Sequence, residues 1–264
     1  MIKALLGILN VVEGEEKRVL YLLGYGFFMG VFLAAYKIVA TTLFLNNMSH
    51  YLREAFFISG LLGIVSTWLY GLMQNRAKFS RLIIFNILTV LVFIIAAKGL
   101  YAFFDADWLI FILFVMLGPI TSLLVLGFWG IFLRLFDPRQ TKRIIGGIDS
   151  GQLIAIIITT FSIPFIMPYV NDITNILIVG IVGLGISVLF FGAISRKFHM
   201  TSTTKQDKEI REQTRFTKIF SDKYVIYLSA FLFLSMSAFV FVDFSFMNVT
   251  EQMAGNRWNR LLHI

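Results

Sequence analysis

The stretch RLIIFNILTVLVFIIAAKGLY, residues 81–101, decides the fold of this chain. A helix that rises about 1.5 Å per residue needs roughly 20 apolar residues to cross a hydrocarbon core about 30 Å thick. This stretch is long enough, and its charged residues, Arg81 and Lys98, lie near its two ends. It is therefore predicted to cross a membrane as a helix.

Six further stretches are comparably long and apolar. The predicted spans cover residues 19–45, 55–74, 81–101, 108–133, 145–168, 174–194 and 224–248. The composition agrees, because 58% of the 264 residues are hydrophobic and only 14% are charged, whereas soluble domains are about a quarter charged. The chain is predicted to be an all-α membrane protein, built as a polytopic bundle of transmembrane helices.

The spans and the segments between them divide the chain into five parts. We predict an interfacial helix at residues 1–18, a six-helix bundle at 19–194, a cytoplasmic linker at 195–223, a seventh transmembrane helix at 224–248 and an external tail at 249–264. The first segment is too short to span, and no small-residue cleavage pattern follows it. We therefore prefer an interfacial helix to a signal segment.

Basic residues are distributed unevenly between the gaps that separate the spans. The second, fourth and sixth gaps contain most of them, whereas the odd-numbered gaps hold little beyond Arg53 and Lys98. Because basic loops stay on the cytoplasmic side, the amino terminus is predicted to be cytoplasmic. This placement explains the net charge of +8 without nucleic acid. With no Cys and three scattered His, neither a metal site nor a cofactor is expected.

Several motifs resemble the major facilitator superfamily, and within it the bacterial and plastid-type ATP/ADP translocase group and its bacterial relatives. Gly71–Arg81 is similar to the superfamily's loop signature, with Asn75 at the position of its Asp. Phe128–Gly151 and the pair Tyr36–Lys37 are similar to segments of the translocase group. The resemblance implies a secondary transporter of a nucleotide-like solute in a bacterial inner membrane, represented here by a major-facilitator-like amino-terminal half plus one helix.

Apart from Arg81 and Lys98 near the ends of the 81–101 stretch, three ionisable residues lie inside predicted spans: Lys37, Asp149 and Asp243. Each costs about 2.5–3.5 kcal/mol on insertion scales, so a residue of this kind usually faces a cavity or a partner. Lys37 continues a stripe at helical spacing that also contains Gly26, Gly30, Ala34 and Thr41. This narrow face is predicted to meet another helix or a water-filled cavity. A lysine that reaches the outer interface is the alternative.

Asp243 repeats the position of Lys37 in the seventh span. Tyr227–Leu228 precede Asp243 by the interval at which Tyr21–Leu22 precede Lys37, which indicates an internal repeat. We predict that Lys37 and Asp243 face each other across a central cavity and neutralise each other until a solute or a proton intervenes. A structural ion pair between other helices is the alternative.

Further residues are predicted to bind the solute or to couple transport. Tyr36 and Trp129 are expected to line the cavity beside Lys37 and to stack on a flat substrate. Asp149 is predicted as a proton-coupling carboxylate, because it shares a helix face with Gln152 and Thr159. The alternative for Asp149 is a helix cap, or an ion pair with Lys142 or Arg143.

A cytoplasmic gate is predicted where basic residues flank the even-numbered gaps. Its members are Asn75, Arg76, Arg81, Arg134, Lys142 and Arg143. Such a gate would form ion pairs while the cavity faces outward. The alternative is that these residues determine topology and contact lipid phosphates.

The sequence therefore predicts a secondary active transporter of a small anionic solute that works by alternating access. Its expected partners are the lipid bilayer, the solute, and a missing carboxyl-terminal half or a second subunit. No enzyme motif, such as HExxH, occurs in the sequence. The alternative is a non-transporting scaffold or assembly partner built on a truncated transporter fold, which the lack of an acidic residue in the fourth span favours.

Overall fold

The computed structural model describes residues 11–12, 14–76, 78–104, 107–169, 172–198 and 223–262. The helices are α1 (Glu16–Asn47), α2 (Leu52–Arg76), α3 (Phe79–Phe103), α4 (Asp107–Val115), α5 (Leu117–Leu135), α6 (Pro138–Ile148), α7 (Ser150–Ile166), α8 (Ile176–Lys197) and α9 (Lys223–Leu262). Short 3₁₀ turns occur at Ser49–Tyr51, Met167–Tyr169 and Ile173–Asn175. The described residues contain no strand, so the all-α prediction is confirmed.

Seven helical segments of the described chain are long and apolar enough to cross a membrane. They are Glu16–Asn47, Ser49–Gln74, Phe79–Tyr101, Asp107–Leu135, Pro138–Tyr169, Ile173–Lys197 and Lys223–Thr250. The prediction of a multi-pass membrane protein is therefore confirmed at the level of length and composition. The fourth of these segments is broken into α4 and α5, and the fifth into α6 and α7.

The chain divides into two compact units, residues 1–201 and residues 202–264. The first unit contains six of the seven apolar segments, and the second contains α9. Most of the predicted interfacial helix and of the predicted linker lies outside the described residues. The predicted external tail is helical as far as Leu262, because α9 continues past residue 248 without a break.

The central helix of the first unit is α1. It packs most extensively against α7 and α8, and it also contacts α4 and α5. Large side chains distributed along it are fully buried: Leu22, Tyr25, Met29, Phe32, Tyr36 and Phe44. Because apolar residues occupy nearly every face of α1, neighbouring helices can surround it, which fits the rule that a helix apolar all round is a buried one.

Glycines bring α1 close to α7. A Cβ atom on Gly30 would lie 2.6 Å from the Gln152 carbonyl oxygen of α7, and one on Gly151 would lie 2.7 Å from the Leu23 carbonyl oxygen of α1. A Cβ on Gly26 would lie 2.9 Å from the Phe128 ring. Gly26 and Gly30 of the predicted stripe therefore contact other helices, in the close packing that small residues permit in membranes.

Two neighbouring helices satisfy the polar backbone at the break in the fourth apolar segment. Pro119 has no N–H and cannot donate to the helical ladder. The Gly118 N–H donates to Ser59 Oγ of α2 at 3.0 Å, and the Tyr36 hydroxyl of α1 donates to the Leu113 carbonyl at 2.6 Å. Broken helices are tolerated at membrane depth when neighbours supply such partners.

Removal of the Tyr36 hydroxyl is expected to destabilise the first unit. Tyr36→Phe keeps the ring but takes the donor from the buried Leu113 carbonyl, which should lower the free energy of unfolding by about 1–2 kcal/mol. The thermal midpoint in detergent, followed by tryptophan fluorescence, measures this loss. Tyr51→Phe is the control because Tyr51 is 46% exposed. Equal midpoints for the two variants would contradict the prediction.

Candidate functional site

Basic residues from several helices come together at one end of the first unit. We call this region the basic end, and it comprises Glu15, Arg18, Tyr21, Phe79, Arg134, Arg143, Lys197 and Phe198. Their contacts place the starts of α1 and α3, the ends of α5 and α8, and Arg143 of α6 near the same end. An arrangement of this kind can hold the helix ends together or release them.

An ion pair joins the start of α1 to α6. Arg143 donates through Nη2 to Glu15 Oε2, and the Val12 N–H donates to the same carboxylate oxygen at 3.3 Å. The Glu15 side chain is 11% exposed, and the Arg143 side chain is 35% exposed. Because the Glu15 side chain is nearly buried, loss of the Arg143 charge would leave the Glu15 carboxylate poorly compensated.

Two cations of the basic end lie on aromatic rings. The Arg134 guanidinium lies 3.7 Å from the centroid of the Phe79 ring. The Lys197 ammonium lies 4.8 Å from the centroid of the Tyr21 ring and donates to the Tyr21 hydroxyl. Cation–π contacts of this kind contribute about 0.5–1 kcal/mol at exposed sites. They connect α5 to α3, and α8 to α1.

Arg18 connects three helices at the basic end. Its guanidinium donates to the Leu135 carbonyl at the end of α5 at 3.4 Å. It also lies 5.9 Å from the centroid of the Phe198 ring, directly after α8. Sequence reasoning missed Arg18, Lys197 and Glu15 as members of this site. The acidic run that contains Glu15 was a usable signal, because it precedes the first span on the side predicted to be basic.

The structure brings two predicted gate residues, Arg134 and Arg143, to the basic end. Lys142 is exposed on α6 beside Arg143, and Arg81 is exposed in the first turn of α3. The side chains of two further predicted members lie outside the described residues: Asn75 and Arg76. Gating by this set stays a prediction.

Lys37 occupies an unusual position on α1. Over residues 21–45, all of which the structure describes, Lys37 is the only exposed position, and the others are buried or half-buried. It lies about 32 Å beyond Glu16 along the helix axis, at 1.5 Å per residue. An exposed cation within an apolar segment is expensive in lipid tails and is expected to meet water, headgroups or a partner.

The two aromatic residues predicted to bind substrate pack within the first unit. Tyr36 is buried, and its ring stacks on Phe32 with centroids 5.7 Å apart. Trp129 is half-buried and lies edge-on to Phe128 and Phe132, at centroid distances of 5.5 and 5.6 Å. Their contact with a substrate stays a prediction.

Asp149 is half-buried at the junction of α6 and α7. Within the described residues its side chain makes no hydrogen bond that caps α7, and Arg143, one of its alternative partners, pairs with Glu15. Of its predicted face-mates, Gln152 is half-buried and Thr159 is buried. A coupling role for Asp149 stays a prediction.

Asp243 lies within the seventh apolar segment, in α9 of the second unit. Lys37 belongs to the first unit. The proposed pairing of Asp243 with Lys37 across a cavity therefore stays a prediction, and so does the internal repeat.

These helices define a multi-pass, all-α membrane protein. Comparisons of the chain with known protein families, with curated proteins and with solved structures found no match. The resemblance to the major facilitator superfamily stays a prediction, and the proposed function rests on the residues and contacts of this chain.

Proposed function

We propose that this chain belongs to a secondary active transporter of small anionic solutes, nucleotide-like phosphorylated metabolites among them. It would work by alternating access in a bacterial inner membrane, with its amino terminus in the cytoplasm. The observation that carries the proposal is the exposure of Lys37 on the central helix, where every other position from 21 to 45 is buried or half-buried. The charged form of a lysine in this position is most stable if its ammonium group meets water and an anion, because burial of the charge among lipid tails costs free energy.

The basic end supports the proposal as a reversible closure on the cytoplasmic side. The ion pair of Arg143 with Glu15 and the Arg18 contact with Leu135 join helices whose separation would open that side. The helix breaks between α4 and α5 and between α6 and α7 are points at which such a bundle can bend. Broken helices are common where transporters change conformation.

Transport in this scheme requires a second bundle. The internal repeat predicts that α9 begins it and that Asp243 pairs with Lys37. Further helices would come from a longer chain or from a second subunit. Solute binding at Lys37 would then compete with its attraction to Asp243, which would couple binding to the change of conformation.

Uptake into liposomes that contain the full-length protein tests this function. The panel contains labelled nucleotides, sugar phosphates and dicarboxylates. For the transported anion, Lys37→Ala should lower the initial rate by about tenfold or more, because a hydrogen bond to a charged group contributes about 1.5–3 kcal/mol and about 1.4 kcal/mol corresponds to tenfold. Lys37→Arg should retain part of the activity.

Lys17→Ala is the matched control, because Lys17 is an exposed lysine in the first turn of α1 and the variant has the same net charge as Lys37→Ala. Full uptake by Lys37→Ala would overturn the proposed role of Lys37. Failure of the wild-type protein to take up any anion of the panel would overturn the proposed function.

A non-transporting scaffold is the second candidate. The close backbone contacts of α1 with α7 at Gly30 and Gly151 favour it, because they fill the space beside the central helix with packed atoms. Recovery of one stoichiometric membrane partner, together with absence of uptake, would support the scaffold.

A further inference from the structure

The short helix α6 is amphipathic. It begins at Pro138, after a capping box in which the Asp137 N–H donates to Gln140 Oε1 at 3.0 Å. Ile144 and Ile148 are fully buried against the first unit, whereas Arg139 and Lys142 are exposed. One face of α6 is therefore fixed by packing, and the opposite face presents cations.

The length of the following helix places α6 near the membrane surface. The segment from Ser150 to Tyr169, which is α7 and its 3₁₀ turn, extends about 30 Å and can cross the hydrocarbon core without α6. The pairing of Arg143 with Glu15 also puts α6 at the basic end, beside the start of α1. These two observations place α6 at the level of the lipid headgroups.

The exposed face of α6 is complementary to an anionic surface. Arg139 and Lys142 are three residues apart and therefore lie on one side of the helix. Among the described residues no acidic side chain pairs with either of them. Ile145, which is 47% exposed, adds an apolar contact to the same surface. Cations combined with exposed apolar residues are typical of helices that lie in the membrane interface.

We propose that the exposed face of α6, formed by Arg139, Lys142 and Ile145, binds the headgroups of anionic phospholipids in the adjoining leaflet. The phosphodiester oxygens accept from the guanidinium and ammonium groups, and the Ile145 side chain contacts the upper part of the acyl chains. Binding here would hold α6, and through Arg143 the start of α1, at the membrane surface. It requires no transported solute and does not depend on the proposed function.

Native mass spectrometry of the full chain, delipidated and then titrated with phosphatidylglycerol or phosphatidylcholine, tests the proposal. The wild-type protein should bind phosphatidylglycerol with clear preference. Arg139→Gln/Lys142→Gln should weaken phosphatidylglycerol binding by about 30-fold, the combined effect of two cations near an anionic surface, and should leave phosphatidylcholine binding unchanged. Arg139→Lys/Lys142→Arg keeps both charges and should bind as the wild type does.

The matched control is Arg53→Gln/Lys223→Gln, which removes two exposed cations outside α6. Equal losses in this control and in the α6 double variant would overturn the proposal, because they would show a non-specific effect of net charge. Displacement of phosphatidylglycerol by millimolar inorganic phosphate would also overturn it, in favour of a site for free phosphate. An unchanged thermal midpoint of Arg139→Gln/Lys142→Gln would show that this variant is folded. If its midpoint falls, phosphatidylglycerol binding by the charge-keeping variant Arg139→Lys/Lys142→Arg still tests the proposal.

Discussion

Gly30→Leu is expected to prevent stable packing of α1 on α7, so that little folded protein accumulates. A Cβ atom at this position would lie 2.6 Å from the Gln152 carbonyl oxygen, 3.0 Å from the Ala155 Cβ and 3.1 Å from the Gln152 Cα. Two of these atoms belong to the backbone and cannot rotate away, so the helices would have to separate. Overpacking by even one or two carbon atoms costs about 1–3 kcal/mol. A leucine side chain adds four carbon atoms at this position.

Gly185→Leu is the matched control, because a Cβ on Gly185 of α8 would meet nothing within 4 Å. Size-exclusion chromatography of fluorescently tagged protein measures the monodisperse fraction, and the thermal midpoint measures stability. Gly185→Leu should behave as the wild type does. Gly30→Ala should lie between the two, since the gain of about 1 kcal/mol for alanine over glycine in a helix opposes the clash. A monodisperse, equally stable Gly30→Leu protein would show that α1 and α7 are not packed in this way.

The positions of the spans could be predicted because membrane insertion depends on local length and hydropathy. The predicted span at 81–101 agrees closely with Phe79–Tyr101, whereas the predicted span at 145–168 begins later than Pro138–Tyr169. The polar helix α6 explains that difference. A search for runs of apolar residues does not include a cationic helix that directly precedes an apolar one. The partners of Gly30 could not be predicted either, since a stripe of small residues fits many helix surfaces equally well.

In the candidate site too, some features could be predicted from the sequence and others could not. Arg134 and Arg143 could be placed on one side of the membrane from their loops alone. The partner of Arg143 could not be identified, because Glu15 lies 128 residues away in the chain and pairing over that distance leaves no periodic signal. Tyr36 illustrates a different limit. Its hydroxyl donates to a carbonyl at the break before Pro119, which only the packing of α1 against α4 brings within reach.

Reversal of one charge in the pair of Glu15 with Arg143 is expected to destabilise the basic end, and reversal of both should restore much of the loss. Exposed ion pairs contribute about 0–1 kcal/mol, and breaking a buried one costs about 3–5 kcal/mol. With side chains 11% and 35% exposed, this pair lies between those cases. We expect Glu15→Lys and Arg143→Glu each to lower the free energy of unfolding by about 2 kcal/mol.

The double variant Glu15→Lys/Arg143→Glu keeps the net charge and can form the reversed pair. Its recovery should be incomplete, because a lysine at position 15 cannot accept the hydrogen bond that the Val12 N–H donates to Glu15. Glu15→Gln separates the two effects, since glutamine keeps an acceptor but loses the charge. Thermal midpoints in detergent at low and high salt give the coupling free energy by a double-mutant cycle.

Glu16→Lys and Lys142→Glu are the controls, because each reverses the charge of an exposed neighbour of the pair. Glu16→Lys should cost only about 0.3–1 kcal/mol, the usual effect of a charge in the first turn of a helix. If the double variant lost as much unfolding free energy as the sum of the losses of the two single variants, the coupling free energy between Glu15 and Arg143 would be zero. The basic end would then depend on the contacts of Arg18, Arg134 and Lys197. Opening of this end would not require the ion pair to break.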